Sequence, residues 1–125
     1  MSAKILLVDD DHEQAILYTQ VLEASGYAVA FVENAEDAQA RLSVEPFDLL
    51  LADWDLGPHR MQGDALIAWA KEYVPQIKTI LFSNHMEVDE VAAACGADAA
   101  FRKVEGIVPL RNVVSRLLAA NSDHA

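Results

Sequence analysis

Residues 47–56 read FDLLLADWDL, and this stretch predicts both the fold class and the place of a site. The apolar run is bounded by Pro46 before it and by Gly57 and Pro58 after it. Such a run is typical of a strand that lies inside a parallel sheet and is buried on both faces. The run ends on Asp53, and the loops at the carboxyl ends of parallel strands form the ligand crevice of an open sheet. We therefore expect Asp53 to lie at the mouth of a functional crevice.

The rest of the chain alternates short apolar runs with segments of helical periodicity. Five β-α units in 125 residues indicate a single domain with a parallel sheet and five helices on its two faces. The doubly wound, flavodoxin-like strand order 2-1-3-4-5 is expected, with a core at about 3–121 and a polar tail at 122–125. Asp11 and Gln14 have the spacing of a capping box at the start of the first helix, and Pro109 is predicted to open the last helix. The predicted strands are 5–8, 27–32, 47–53, 77–83 and 99–102.

The composition excludes several classes of partner. Nine basic and 20 acidic residues give a net charge of −11, which argues against direct binding to nucleic acid or to an anionic membrane. No apolar run is long enough to span a bilayer, and we read no signal peptide in the opening residues. The single cysteine, Cys95, is predicted to be a buried structural thiol. A lone cysteine and no signal peptide together predict a cytoplasmic location.

Polar side chains follow the predicted strands at the edge of the sheet where Asp53 lies. Strands 1 and 3 are neighbours in the expected order, so Asp9 and Asp10 should come close to Asp53. Ser83 and Lys103 end strands 4 and 5 and should approach from the other side. Crowded carboxylates repel one another, and Mg²⁺ favours such carboxylates together with waters and a phosphate oxygen. An ammonium and a hydroxyl would neutralise and bind the other oxygens of a phosphoryl group, so the set predicts phosphoryl chemistry on Asp53.

Four motifs occur in order along essentially the whole chain: VDDD at 8–11, DLLLAD at 48–53, Ser83, and GAD at 96–98 followed by Lys103. Together they resemble the receiver domain of two-component response regulators, the CheY-like domains. The resemblance implies that Ser83 is the switch hydroxyl and that Lys103 binds the phosphoryl group.

The resemblance also implies roles for the acidic residues. Asp53 would be the phosphoacceptor, and Asp10 and Asp53 would ligate Mg²⁺ directly. Asp9 would act through a water molecule and Asp55 through its main-chain carbonyl. The implied phosphodonor is a histidine kinase or a histidine phosphotransfer protein. A downstream protein or effector domain would bind the fourth and fifth helices, a homodimer is a further expectation, and no turnover of an external substrate is expected.

The sequence departs from the family pattern at four places. Ala100 stands where an aromatic residue usually couples to the switch hydroxyl, and Phe101 should point to the opposite face of the strand. Val104 follows Lys103 where proline is usual, which predicts a less firmly aimed lysine. The loop 57–62 is two residues longer than is typical. Asn84 stands where a smaller residue is common and is predicted to narrow access to the site.

Two other functions are open at this point. The departures at Ala100 and Val104 suit a receiver-like interaction module that has lost or altered its switching. The sequence Asp53-Trp54-Asp55 also suggests a Mg²⁺-dependent phosphatase of the haloacid-dehalogenase type. That family expects the motif on an early strand with Thr or Val two places after the second Asp, whereas here it is on the third strand and Gly57 occupies that place.

Overall fold

The sheet has the predicted strand order. The computed structural model describes residues 2–122, with side chains at 2–119, and places five parallel strands in the order β2-β1-β3-β4-β5. Strands and helices alternate along the chain, so each crossover carries a helix back over one face of the sheet. A single 3₁₀ turn, Lys103–Glu105, follows the last strand. The elements in chain order are β1 (Lys4–Val8), α1 (His12–Ala24), β2 (Ala28–Val32), α2 (Ala35–Val44), β3 (Leu49–Asp53), α3 (Gly63–Tyr73), β4 (Lys78–Ser83), α4 (Val88–Cys95), β5 (Ala99–Arg102) and α5 (Ile107–Ser122).

Strand β3 lies at the centre of the sheet, as its sequence predicts. All five of its residues are buried, and it pairs with β1 on one side and with β4 on the other. Leu50 and Ala52 face one set of helices, whereas Leu49 and Leu51 face the other set. A central strand with helices on both faces must be apolar on both sides, which explains the unbroken apolar run. The strand ends at Asp53 on the carboxyl edge.

Two apolar cores flank the sheet. Helices α2, α3 and α4 cover one face, and α1 and α5 cover the other. Ala100 packs against the first core and Phe101 lies in the second, so these neighbours do point to opposite faces, as predicted. Cys95 is half-buried at the rim of the first core rather than fully buried, and burial raises the pKa of its thiol.

The last helix differs from its predicted bounds at both ends. It begins at Ile107, two residues before Pro109, and it continues through Ser122, where a polar tail was expected. Proline is tolerated in the first turn because its missing N–H would have no partner within the helix there. The remainder of the predicted tail, 123–125, lies outside the described residues. Within residues 2–122 no helix has both the length and the apolar character needed to cross a membrane.

Candidate functional site

The predicted site residues converge on one cleft at the carboxyl edge of the sheet. The cleft has a volume of about 250 Å³ and is lined by Asp10, Asp53, Asp55, Ser83, Asn84 and Lys103, among others. Two larger surface hollows of about 540 Å³ do not include Asp53. Volume therefore does not single out the cleft; the convergence of charged groups from four loops does. Asp9, the remaining predicted residue, is fully buried beside it.

Three carboxylates form a compact cluster in this cleft. Asp9, Asp10 and Asp53 each offer one oxygen, and these oxygens lie within 4.8 Å of one another. Asp9 Oδ1 accepts a hydrogen bond of 2.9 Å from the Asp11 amide, whereas Asp9 Oδ2 is buried and has no hydrogen-bond partner. A buried anionic oxygen without a partner is costly unless another positive group binds it. The cluster can hold a metal ion, and its all-oxygen donor set suits a hard divalent cation.

Lys103 supplies the positive charge of the site. Its ammonium lies 2.7 Å from Asp53 Oδ2, and it is 4.0 Å from Asp9 Oδ2. It also lies 4.9 Å from the centroid of the Phe82 ring, and the Lys103 side chain is only 12% exposed. A less firmly aimed lysine was expected because Val104 replaces proline, but the contacts show a well-held ammonium. The described residues contain no cis peptide bond.

Gln14 contacts the site in a way that sequence reasoning missed. Its side-chain oxygen accepts a 2.7 Å hydrogen bond from the Lys103 ammonium. The predicted capping box is therefore only half formed. The Asp11 carboxylate accepts from the amides of Glu13 and Gln14 at 3.1 and 3.2 Å, but the Gln14 side chain turns to Lys103 instead of back to the cap. The spacing from Asp11 predicted a bond of Gln14 within its own helix start. The bond to Lys103, 89 residues away, has no signal in the local sequence.

The buried carboxylates have altered proton affinities. Burial raises the pKa of Asp9 to about 7, although the Asp11 amide and the Lys103 ammonium act in the opposite direction. Burial also raises the pKa of Asp53, and the hydrogen bond and charge of Lys103 oppose this rise. Because Lys103 lies closer to Asp53, Asp53 is the better stabilised anion of the pair. The cleft therefore favours one anion at Asp53 and leaves Asp9 short of a positive partner.

The remaining predicted residues line the rim. Ser83 is 3% exposed, and its Oγ accepts a hydrogen bond of 3.1 Å from the His85 amide. The hydroxyl proton can therefore still be donated into the cleft. Asn84 is exposed at the mouth of the cleft. Trp54 is half-buried and meets the ring of His85 edge to face at 5.0 Å, so this indole adjoins the site.

The loop between β3 and α3 is tightly bonded to itself. Asp53 Oδ1 accepts from the Asp55 amide, and Asp55 Oδ1 accepts from the Gly57 amide, each at 3.1 Å. The Gln62 side chain, which no sequence signal marked, makes three further hydrogen bonds inside the loop. Gly63 closes it: a Cβ there would lie 2.0 Å from the Asp53 carbonyl oxygen. The absence of a side chain lets the Gly63 amide donate a 2.9 Å hydrogen bond to the Trp54 carbonyl, which joins the start of α3 to the end of β3.

A doubly wound sheet with an acidic cluster, a hydroxyl and a lysine at its carboxyl edge defines a receiver-type domain. The family model described as the response regulator receiver domain matches residues 5–113. The chain belongs to this family, whose members are receiver domains of two-component response regulators. This assignment places the chain in a different family from the haloacid-dehalogenase phosphatases that the Asp53-Trp54-Asp55 sequence suggested.

Several known proteins are similar to this chain. It is 34% identical over 85 residues to the response regulator receiver protein CpdR of Brucella abortus, which covers 68% of this chain and 69% of CpdR. It is 37% identical over 98 residues to the alginate biosynthesis transcriptional regulatory protein AlgB of Pseudomonas aeruginosa, over 77% of this chain. The chain spans only 21% of the length of AlgB.

Solved structures show the same fold. A CheY-like response regulator receiver domain protein from Methanospirillum hungatei superposes with a TM-score of 0.90 at 28% identity, covering 100% of both chains. The signal receiver domain of a signal transduction histidine kinase from Syntrophus aciditrophicus gives a TM-score of 0.85 at 32% identity, covering 95% of this chain and 92% of that chain.

Proposed function

We propose that this domain accepts a phosphoryl group on Asp53 from a phosphohistidine of a histidine kinase or histidine phosphotransfer protein. The observation that carries the proposal is the Asp53 carboxylate, held in the cleft with the Lys103 ammonium at 2.7 Å and with two more carboxylates beside it. Aspartate is an established covalent nucleophile for phosphoryl groups. The transfer needs mainly alignment and neutralisation of charge, which these groups supply.

The transfer forms one bond and breaks one. An Asp53 carboxylate oxygen bonds to phosphorus while the bond from phosphorus to the donor imidazole nitrogen breaks, and its electron pair stays on that nitrogen. Lys103 then binds one phosphoryl oxygen with a charge-assisted hydrogen bond. The Ser83 hydroxyl donates to another oxygen and gives up its present position beside the His85 amide. Phosphorylation would be followed by slow loss of the same group to water.

The carboxylate cluster fits Mg²⁺. Asp10 and Asp53 would bind it directly, Asp9 through a water molecule, and Asp55 through its main-chain carbonyl. When bound, the ion neutralises the cluster and binds an oxygen of the incoming phosphoryl group. Asp9 Oδ2 supports this assignment: it is buried with no hydrogen-bond partner, the Lys103 ammonium is 4.0 Å away, and a cation or a water held by one would satisfy it.

Mass spectrometry tests the phosphoacceptor directly. Incubation with acetyl phosphate and Mg²⁺ should add one phosphoryl group, and chelation of Mg²⁺ should prevent the gain. Asp53→Asn should abolish it, whereas Asp89→Asn, at an exposed position on α4, should not. An unchanged mass gain in Asp53→Asn would overturn the assignment of the acceptor.

The output would pass through the loop between β4 and α4. Ala100 offers no aromatic ring to follow Ser83 inward, but Arg102 at the end of β5 donates a 3.2 Å hydrogen bond to the Met86 carbonyl in that loop. Movement of Ser83 would therefore shift this loop and the start of α4 while most of β5 stays in place. Met86 and Val108 expose 76% and 54% of their surface, and we assign the face formed by α4 and α5 to the downstream partner or to a second copy of the domain.

Beryllofluoride, a phosphoryl mimic, tests this route. Backbone amide NMR shifts should change most from Ser83 to Val88 and at Arg102, with small changes at Ala100 and Phe101. Large changes at Ala100 and Phe101 with none in the loop would reverse the proposed route. Changes confined to the immediate surroundings of Asp53 would favour the interaction module without switching.

A further inference from the structure

The Gln62 side chain is the centre of the enlarged loop between β3 and α3. Its Oε1 accepts a hydrogen bond of 2.9 Å from the Leu56 amide. Its Nε2 donates to the carbonyls of Gly57 at 2.7 Å and Arg60 at 2.9 Å. One carboxamide thus joins both ends of a loop that otherwise turns on the left-handed residues Gly57 and His59, which have φ values of 97° and 63°.

Because the Gln62 side chain bonds the loop, helix α3 has no side-chain hydrogen bond at its N-cap. Gln62 is the N-cap residue of α3, with the extended backbone angles (φ −88°, ψ 167°) that suit a capping residue, yet its side chain makes no cap hydrogen bond. Short side chains such as Asn, Ser or Asp would bond the free amides of the first turn from this position. The longer glutamine instead reaches back over the loop. The hydrogen bonds of this side chain therefore serve the loop and not the helix.

The bond to Leu56 determines the orientation of a particular peptide group. The Leu56 N–H and the Asp55 carbonyl belong to the same peptide unit, and in a planar trans peptide they point in opposite directions. With the N–H directed to Gln62, the Asp55 carbonyl is directed away from Gln62. Asp55 lines the cleft together with Asp10 and Asp53. This is the carbonyl that the proposed function assigns to the divalent cation.

We propose that Gln62 is a positioning residue that holds the Asp55 carbonyl toward the cleft for a divalent cation, an inference that rests on the proposed Mg²⁺ site. The carbonyls of Gly57 and Arg60 hold the carboxamide at its other end, so the peptide can turn only by giving up its hydrogen bond to Gln62. Partners behind a ligand typically change metal affinity by about 10–100-fold when they are removed. The enlarged loop would therefore serve the cation site by carrying this side chain.

The substitution Gln62→Asn separates this role from a general structural one. Asparagine is too short to span the loop but is a preferred N-cap, so α3 should be at least as stable as before. We expect the Mg²⁺ dissociation constant, from titration of backbone amide NMR shifts, to rise about 10-fold. The Leu56 amide should exchange with solvent faster without metal, and the new cap should offset part of the stability lost with the loop hydrogen bonds. Gln62→Ala should weaken Mg²⁺ binding equally without the gain in capping.

The matched control is Gln76→Asn, at an exposed glutamine before β4 on the opposite edge of the sheet. It should leave the dissociation constant unchanged. If the wild-type chain binds Mg²⁺ and both Gln62 variants bind it equally well, the positioning role is wrong while the proposed function stands. If the wild-type chain does not bind Mg²⁺, the proposed cation site fails and the positioning role fails with it.

Discussion

Replacing Asp9 by asparagine tests whether the acidic cluster destabilises the fold when metal is removed by EDTA. The substitution keeps an oxygen for the Asp11 amide, which now bonds Asp9 Oδ1 at 2.9 Å. It replaces the buried Oδ2, which has no hydrogen-bond partner, by an amide that can donate to the neighbouring Asp53. In buffer well above pH 7, where Asp9 is ionised despite its raised pKa, the change removes one negative charge from the cluster. It leaves the size of the side chain almost unaltered.

The magnitude depends on which of three effects is largest. At an effective dielectric constant of about 20, the attraction between Asp9 and Lys103 over 4.0 Å is about 4 kcal/mol. The repulsion between Asp9 and Asp53, whose oxygens lie within 4.8 Å, is at least about 3.5 kcal/mol by the same rule. These two nearly cancel, so the burial of an unpaired oxygen, which costs about 1–3 kcal/mol, determines the sign.

We therefore expect Asp9→Asn to raise the free energy of unfolding in EDTA by about 1–2 kcal/mol, or the melting temperature by about 4 °C or more. Mg²⁺ at ten times its dissociation constant should stabilise the wild-type chain by about 1.4 kcal/mol and the variant by less, which narrows the difference. Urea unfolding with and without Mg²⁺ measures both quantities. Asp89→Asn should change the free energy of unfolding, with or without Mg²⁺, by less than about 0.5 kcal/mol. A variant less stable than the wild type in EDTA would show that the attraction to Lys103 outweighs burial.

Three further outcomes can be checked on single variants. Trp69→Phe should keep a Mg²⁺-dependent change in tryptophan fluorescence and Trp54→Phe should lose it, because Trp54 adjoins the cleft. The reverse result would show that the end of β3 is wrongly placed. Gly63→Ala should lower the free energy of unfolding in urea by about 3 kcal/mol or more, because its Cβ would meet the Asp53 carbonyl at 2.0 Å; a loss under about 1 kcal/mol would contradict that contact. Thr79→Val should cost about 1–2 kcal/mol in the same assay, since the fully buried Thr79 hydroxyl makes two 3.2 Å hydrogen bonds with Asp98 and valine restores neither; a neutral result would count against both bonds.

The fold was predictable because its main determinants are patterns along the chain. The apolar run at 49–52 can be satisfied only by burial on both faces, which requires helices on both sides of the sheet. Right-handed crossovers and the alternation of elements then leave few strand orders to consider. Once the order is fixed, the residues after β1, β3, β4 and β5 must meet at one edge. The convergence of Asp9, Asp10, Asp53, Ser83 and Lys103 follows from that topology alone.

The contacts between side chains were not predictable in the same way. Gln14 and Gln62 each occupy a position where local rules assign a role in a helix start, Gln14 as part of a capping box and Gln62 as the N-cap of α3. A glutamine side chain is long enough to reach several possible hydrogen-bond partners. Which of them it bonds depends on the groups that the fold brings near. Gln14 bonds Lys103, which is 89 residues away in the sequence, and Gln62 bonds the backbone of its own loop. The partner of Gln14 cannot be identified before the strands are ordered, and the partners of Gln62 cannot be identified before the conformation of its loop is known.

The side chains of these two glutamines bond groups in or next to segments where the sequence departs from the family pattern. Val104, and not the usual proline, follows Lys103. The Lys103 ammonium donates hydrogen bonds to Gln14 on α1 and to Asp53 on β3, so side chains from two elements orient it. The loop after Asp53 is longer than usual, and Gln62 bonds it to itself at three points. At both places a glutamine side chain thus hydrogen-bonds the departing loop or the residue beside it. The proposed phosphoacceptor site therefore does not depend on a proline at Val104 or on a loop of the usual length. At Ala100 no aromatic ring is present, and the hydrogen bond from Arg102 to the Met86 carbonyl links β5 to the loop between β4 and α4.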